Sequence, residues 1–161
     1  MKLEVYFIRP GESWANKIQK TYGPIHWCVA DPELTPKGVY DSENMKVPDV
    51  DVVCCSELLR AKQTAYYAYP GKIVYIVPGT KELGFGLDNM PLKSSLFSAR
   101  FVTMKHDPHC DSFLDYFKKF KSKGGNTLKI ALFTHHRFIA KHTENLHCEN
   151  NEIVKFEYNI I

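Results

Sequence analysis

Arginine is scarce in this chain and unevenly placed: of 21 basic residues only Arg9, Arg60, Arg100 and Arg137 are arginine. Arg9 closes the apolar run Leu3 to Ile8, and His135, with Arg137 two residues beyond it, follows the apolar run Leu128 to Phe133. A guanidinium is planar, stays charged, and grips two oxygens of a phosphate at once, which lysine cannot do. Two arginines and a histidine brought together, with the N-terminus of a helix aimed at the same point, suit a dianionic phosphoryl group better than a carboxylate. The chemistry these residue types point to is therefore phosphate recognition.

Residues so far apart in sequence need a fold that gathers them. Leu3 to Arg9, Asp51 to Cys55, Ile73 to Val77 and Leu128 to Phe133 are β-branched or aromatic runs of strand length. Between them Glu12 to Tyr22, Pro36 to Met45, Glu57 to Tyr69, Asp111 to Lys123 and His136 to Leu146 have helical composition or spacing. Phe113, Phe117 and Phe120 share one face of the fourth of these, with Gly124-Gly125 as its stop. Ile153 to Ile161 alternates in part and reads as a last strand at a sheet edge. The alternation predicts an α/β three-layer sandwich, a mostly parallel central sheet with helices on both faces. In such sheets ligands bind beyond the carboxyl ends of the strands, and Arg9, Ser56 and His135 all stand at or just past such ends. The region Leu87 to Pro108 is the least readable and is expected to be a small lid.

Ordered motifs run along nearly the whole chain. Arg9-Pro10-Gly11-Glu12-Ser13 is followed by Asn16, then by Asp31 with Leu34-Thr35-Pro36-Lys37-Gly38. The longest is Cys55-Ser56-Glu57-Leu58-Leu59-Arg60-Ala61-Lys62-Gln63-Thr64-Ala65, and Glu82-Leu83-Gly84-Phe85-Gly86 and Phe133-Thr134-His135-His136 come after it. In this order they resemble the motifs of the histidine phosphatase superfamily, which includes the phosphoglycerate mutases. The resemblance implies the phosphoglycerate mutase-like fold, phosphate-binding roles for Arg9, Asn16, Arg60 and His135, a proton-donor position at Glu82, and a second catalytic histidine at His135. It also places Pro10 where the family has its nucleophilic histidine. A proline nitrogen is a tertiary amide with neither a basic lone pair nor a proton, so a phosphohistidine cannot form there. His136 in place of the glycine after the second histidine, and Asp41-Ser42 in place of Gln-Ala, are further departures. The resemblance thus implies a protein that binds phosphate, a phosphorylated small molecule or a phosphoprotein without turning it over. The alternative is a phosphohydrolase of altered chemistry, using His136 or an activated water.

With 161 residues, 44% of them apolar, the chain is the size of one domain, 1–161, with ample material for a core. A formal charge of +3 with dispersed lysines gives no reason to expect a nucleic-acid partner. Lys118, Lys119, Lys121 and Lys123 fit the solvated last turn of a helix. Five cysteines, an odd number, suggest reduced and mostly buried thiols rather than a disulfide framework. The N-terminal apolar run is too short for a signal peptide, no stretch suits a membrane span, and a cytoplasmic location without membrane partners is the expectation. His106, His109 and Cys110, and likewise His142, His147 and Cys148, lack zinc spacing, so neither a metal nor any other cofactor is expected.

Overall fold

The computed structural model describes residues 1–91 and 99–160. Strands β1 (Lys2–Ile8), β2 (Val52–Cys55), β3 (Val74–Ile76), β4 (Phe101–Thr103), β5 (Thr127–Phe133) and β6 (Ile153–Asn159) form one sheet in the order β4-β3-β2-β5-β1-β6. The first five are parallel, and β6 closes one edge antiparallel to β1. Helices α1 (Trp14–Tyr22) and α2 (Pro36–Glu43) lie between β1 and β2, α3 (Leu59–Ala68) between β2 and β3, α4 (Phe113–Phe117) between β4 and β5, and α5 (His136–His142) between β5 and β6.

Period-two alternation divides the buried side chains between the two sheet faces. Leu3, Val5 and Phe7 of β1 and Leu128, Ile130 and Leu132 of β5 face α4 and α5, where Phe113, Phe117, Phe138 and Ile139 meet them. Ile8, Val53, Cys55, Ala131 and Phe133 point the other way, onto Ala61, Ala65 and Ala68 of α3. Burial on both faces explains why these strands read as continuous apolar runs.

The topology fixes where the site must be. β5, late in sequence, inserts between β1 and β2, and its last residue Phe133 is in register with Ile8 on one side and Cys55 on the other. The three strands therefore end level, and the residues that follow, Arg9, Ser56 and Thr134-His135, emerge together along one edge of the sheet.

Several elements are shorter than the sequence predicts. The expected helix Asp111 to Lys123 forms only over Phe113–Phe117, and tight turns through Lys118–Phe120 replace the rest, well before Gly124-Gly125. Its start is held by Asp115, whose carboxylate accepts the N–H groups of Asp111 and Ser112. Beyond Phe117 the lysine run offers too little apolar surface to hold a further turn, and Lys121 and Lys123 lie outside the helix rather than in its last turn. Phe113 and Phe117 are buried as predicted, while the Phe120 ring packs edge-on to Tyr75 at 4.9 Å. α5 stops at His142, where Thr143 is extended and turns its hydroxyl back onto the Ile139 carbonyl. In the region expected to be a lid, Phe101–Thr103 is an edge strand of the sheet and Leu87–Asn89 a 3-10 turn; residues 92–98 of that region, and 161 of the last strand, lie outside the described residues. The short β4 has only three residues, two of them exposed, and leaves no alternation to read.

Candidate functional site

A polar cavity of about 190 Å3 opens at the carboxyl ends of β1, β2 and β5. Arg9, Pro10, Asn16, Arg60, Glu82 and His135, the site residues picked out from the sequence, all line it. So do His136 and Arg137, together with Asn89 and Asn150.

The first loop is set by close packing and by α1. Gly11 and Gly38 bring the loop and α2 into backbone contact; a Cβ on Gly11 would stand 2.8 Å from the Gly38 carbonyl oxygen. Ser13 caps α1 in a reciprocal box with Asn16, whose Oδ1 accepts from the Ser13 N–H at 3.0 Å. The same Oδ1 accepts from the Ser13 hydroxyl and from Asn150 Nδ2, which leaves the Asn16 amide nitrogen as a donor for the cavity. Asn150 Nδ2 also donates to the Pro10 carbonyl at 3.0 Å, tying the segment before β6 onto the loop after β1.

Each arginine is aimed by a backbone carbonyl. Arg9 Nη1 donates to Cys148 O at 2.6 Å, and Arg60 donates to Asp88 O at 2.6 Å and to Asn89 Oδ1 at 3.1 Å. Both keep further N–H groups for an anion. Arg60 stands in the first turn of α3, whose start is capped by the buried Asp31 carboxylate through Leu59 N–H at 3.0 Å. Burial lowers the Arg60 guanidinium from its ordinary value, Glu82, Asp88 and Asp31 raise it, and Arg9 lowers it again.

His135 is almost fully buried, and Ser56 Oγ lies 2.6 Å from its Nε2. Ser56 Oγ also accepts the Leu58 N–H, which holds the hydroxyl in place against the ring. Burial first, then the charges of Arg60 and Arg9, hold this imidazole well below its usual pKa, so it is neutral at pH 7. Ser56 is fully buried and absent from the cavity wall, so the pair orients the imidazole rather than forming a nucleophile and its base.

Glu82 Oε1 accepts the N–H groups of Leu83 and Arg137, each at 3.0 Å, which seats its carboxylate at the start of α5. His136, the first residue of that helix, donates its Nε2 hydrogen to the Leu146 carbonyl at 3.0 Å. No cysteine lines the cavity, and burial pushes the Cys148 thiol up to about 11, so no thiolate is available as a substitute nucleophile. All five cysteines are unpaired, three of them buried. Among the described residues no group of three His, Cys, Asp or Glu is placed to hold a metal, and no helix is long and apolar enough to cross a membrane. His142 packs its ring on Phe113 and Phe138.

Arg137, Asn89 and Asn150 are wall residues that sequence reasoning did not assign. Arginine scarcity already marked Arg137, whereas nothing in the run Cys148 to Asn151 signals that Asn150 folds back onto Pro10. The same scarcity misleads at Arg100, which lies away from the cavity and donates to the carbonyls of Lys72, Tyr66 and Tyr69 at the end of α3.

No protein-family profile and no curated protein matches the chain. Solved structures do. A phosphoserine phosphatase from Entamoeba histolytica in complex with phosphoserine is similar over 96% of this chain and 90% of its own, with a TM-score of 0.59 and 20% identity. The phosphoserine phosphatase of that organism in complex with 3-phosphoglyceric acid gives a TM-score of 0.53 at 18% identity over the same shares. The alpha-ribazole phosphatase of Shigella flexneri gives 0.51 at 17% identity, over 85% of this chain and 76% of its own. With the level ends of β1, β2 and β5 and the order of its motifs, the fold of this chain is that of the histidine phosphatases, phosphoglycerate mutase-like.

Proposed function

We propose that the protein is a histidine-phosphatase-like protein without the phosphohistidine nucleophile, which binds phosphate or a phosphorylated ligand and does not hydrolyse it. The observation that carries this reading is the wall of the cavity, where Pro10 stands among Arg9, Arg60 and His135. Two guanidinium groups and a neutral imidazole N–H are held close enough for each arginine to disfavour a charge on its neighbours. An incoming dianion relieves that repulsion. The similar structures bear the names of phosphatases of phosphomonoesters, which supports a phosphoryl group as the anion. A covalent step has no atom to start from at Pro10.

Calorimetric titration with inorganic phosphate or vanadate tests the binding. Weak binding is expected in the native chain, and Arg60→Ala is expected to weaken it about tenfold to a hundredfold, the usual effect of losing a charged hydrogen-bonded contact. No binding to the native chain refutes the anion site.

A second reading rests on His136, which also lines the cavity and has a free Nδ1. In it His136, or a water it activates, attacks the phosphorus. Its Nε2 is held by Leu146 O, so only Nδ1 remains to attack, and His135, the extended residue before α5, lines the same cavity.

A further inference from the structure

The cavity is polar, but the loops around its mouth are not. Trp27, in the 3-10 turn His26–Cys28, is about half exposed, Ile25 beside it likewise, and across from them Leu87 is exposed and Phe85 wholly so. The two loops that carry them pack together: Trp27 lies against Gly86, the residue between Phe85 and Leu87, and the Leu87 carbonyl accepts Asp31 N–H. Phe85 itself lines the cavity, as does His26, so the apolar collar is continuous with the anion-binding pit. A small phosphate ester seated against Arg9 and Arg60 fills a pit of this size and leaves the outward-facing Trp27 and Leu87 untouched. Large apolar groups exposed around a polar pit mark contact with something broader.

We propose that the collar docks a protein segment carrying a phosphorylated side chain between apolar residues. The phosphoryl group enters the pit and the flanking side chains cover Trp27, Ile25, Phe85 and Leu87. This rests on the anion site proposed above and names its partner. Charge selects a protein over a membrane: residues 21–31 and 83–91, which build the collar, contain no lysine or arginine, and the cation that reaches them, Arg137, belongs to the cavity wall. A surface that sat on anionic lipid would need basic residues around its apolar contacts, whereas a phosphopeptide needs positive charge only where its phosphate goes, at Arg9 and Arg60.

The test uses two labelled peptides with the same central phosphotyrosine, one flanked by Leu and Phe and the other by Gly and Ser, and follows binding to the full chain by anisotropy. Inorganic phosphate is titrated in parallel. The Leu/Phe peptide is expected to bind at least about tenfold more tightly than the Gly/Ser peptide. The double variant Trp27→Ala, Leu87→Ala, both exposed and outside the pit wall, is expected to abolish that preference and leave phosphate binding unchanged. Phosphate binding with no preference between the peptides overturns the collar and leaves the anion site standing. No phosphate binding overturns both. Equal binding of the unphosphorylated Leu/Phe peptide overturns the phosphorylated partner, and stronger binding to phosphatidylserine vesicles than to either peptide, lost in the double variant, assigns the collar to a membrane instead.

Discussion

Pro10 alters the chemistry of its position while its backbone remains in use. Its carbonyl accepts Asn150 Nδ2, and its neighbour Arg9 donates N–H to Glu152 and accepts from Asn151. A fixed φ and a missing donor cost little at the end of a strand, so the substitution is structurally quiet and chemically decisive. The native chain is accordingly expected to form no acid-labile phospho-enzyme and to hydrolyse an aryl phosphate no faster than buffer. Pro10→His is expected to restore measurable turnover, with Glu82 across the cavity to protonate the leaving oxygen. If the single variant is silent, His136 is the next obstruction, because its ring occupies the wall where a glycine would leave space; Pro10→His with His136→Gly is then expected to turn over. Native turnover that disappears in His136→Ala and survives in Pro10→Ala would instead establish the second reading. Arg9, Pro10, Asn16, Arg60, Glu82 and His135, picked out by motif, line one cavity, while Asn150 and Asn89 were hidden because an amide in a loop has no pattern until the loop is folded.

At the scale of elements, α3 shows how the site is held. Asp31 caps its start and thereby places Arg60, and its other end is closed by Arg100, which reaches across from the start of β4 to the carbonyls of Tyr69, Tyr66 and Lys72 and lies 4.6 Å from the centre of the Tyr66 ring. The Tyr66 carbonyl lies in the last turn of α3, where a helix leaves acceptors unsatisfied, and Tyr69 and Lys72 follow the helix; a planar cation serves all three at once. Arg100→Ala is expected to lower stability by about 1 to 2 kcal/mol in urea unfolding with an unchanged m-value, and Arg100→Lys to recover little of it. A variant as stable as the native chain would show that the contacts contribute nothing. The strands β1, β2 and β5 were legible because both their faces are buried and long apolar runs betray them. β4 was not, because a three-residue edge strand is defined by its pairing with β3, and α4 was overdrawn because the lysines after Phe117 keep a helical spacing that no packing rewards.

For the whole molecule, the level strand ends that create the cavity also bury His135, and this makes stability depend on pH. Its folded pKa is depressed by burial and by Arg60 and Arg9, while in the unfolded chain it titrates near about 6.5. Between those two values the unfolded state binds the extra proton, so stability rises with pH through this window and falls as the solution is acidified. The slope approaches about 1.4 kcal/mol per pH unit for a group held fully neutral. His142, lowered by its own burial and then by Lys141, adds to the same limb. The carboxylates that are lowered, Asp107 to about 2 and Asp115 and Glu157 in the same direction, lose their contribution only below about pH 4. The urea midpoint is therefore expected to drop between pH 7.5 and 5.5 in the native chain, above the range of those three carboxylates. His135→Gln, whose side-chain amide can either donate to or accept from Ser56, is expected to flatten that drop. Parallel pH profiles for the two proteins would mean that His135 is not the buried neutral group. Saturating phosphate is expected to raise the midpoint in the native chain, since a ligand that binds only the folded state stabilises it by mass action. Beside a dianion the His135 imidazolium is also less disfavoured, so the rise is expected to be larger at pH 5.5 than at 7.5 when free dianion is held constant.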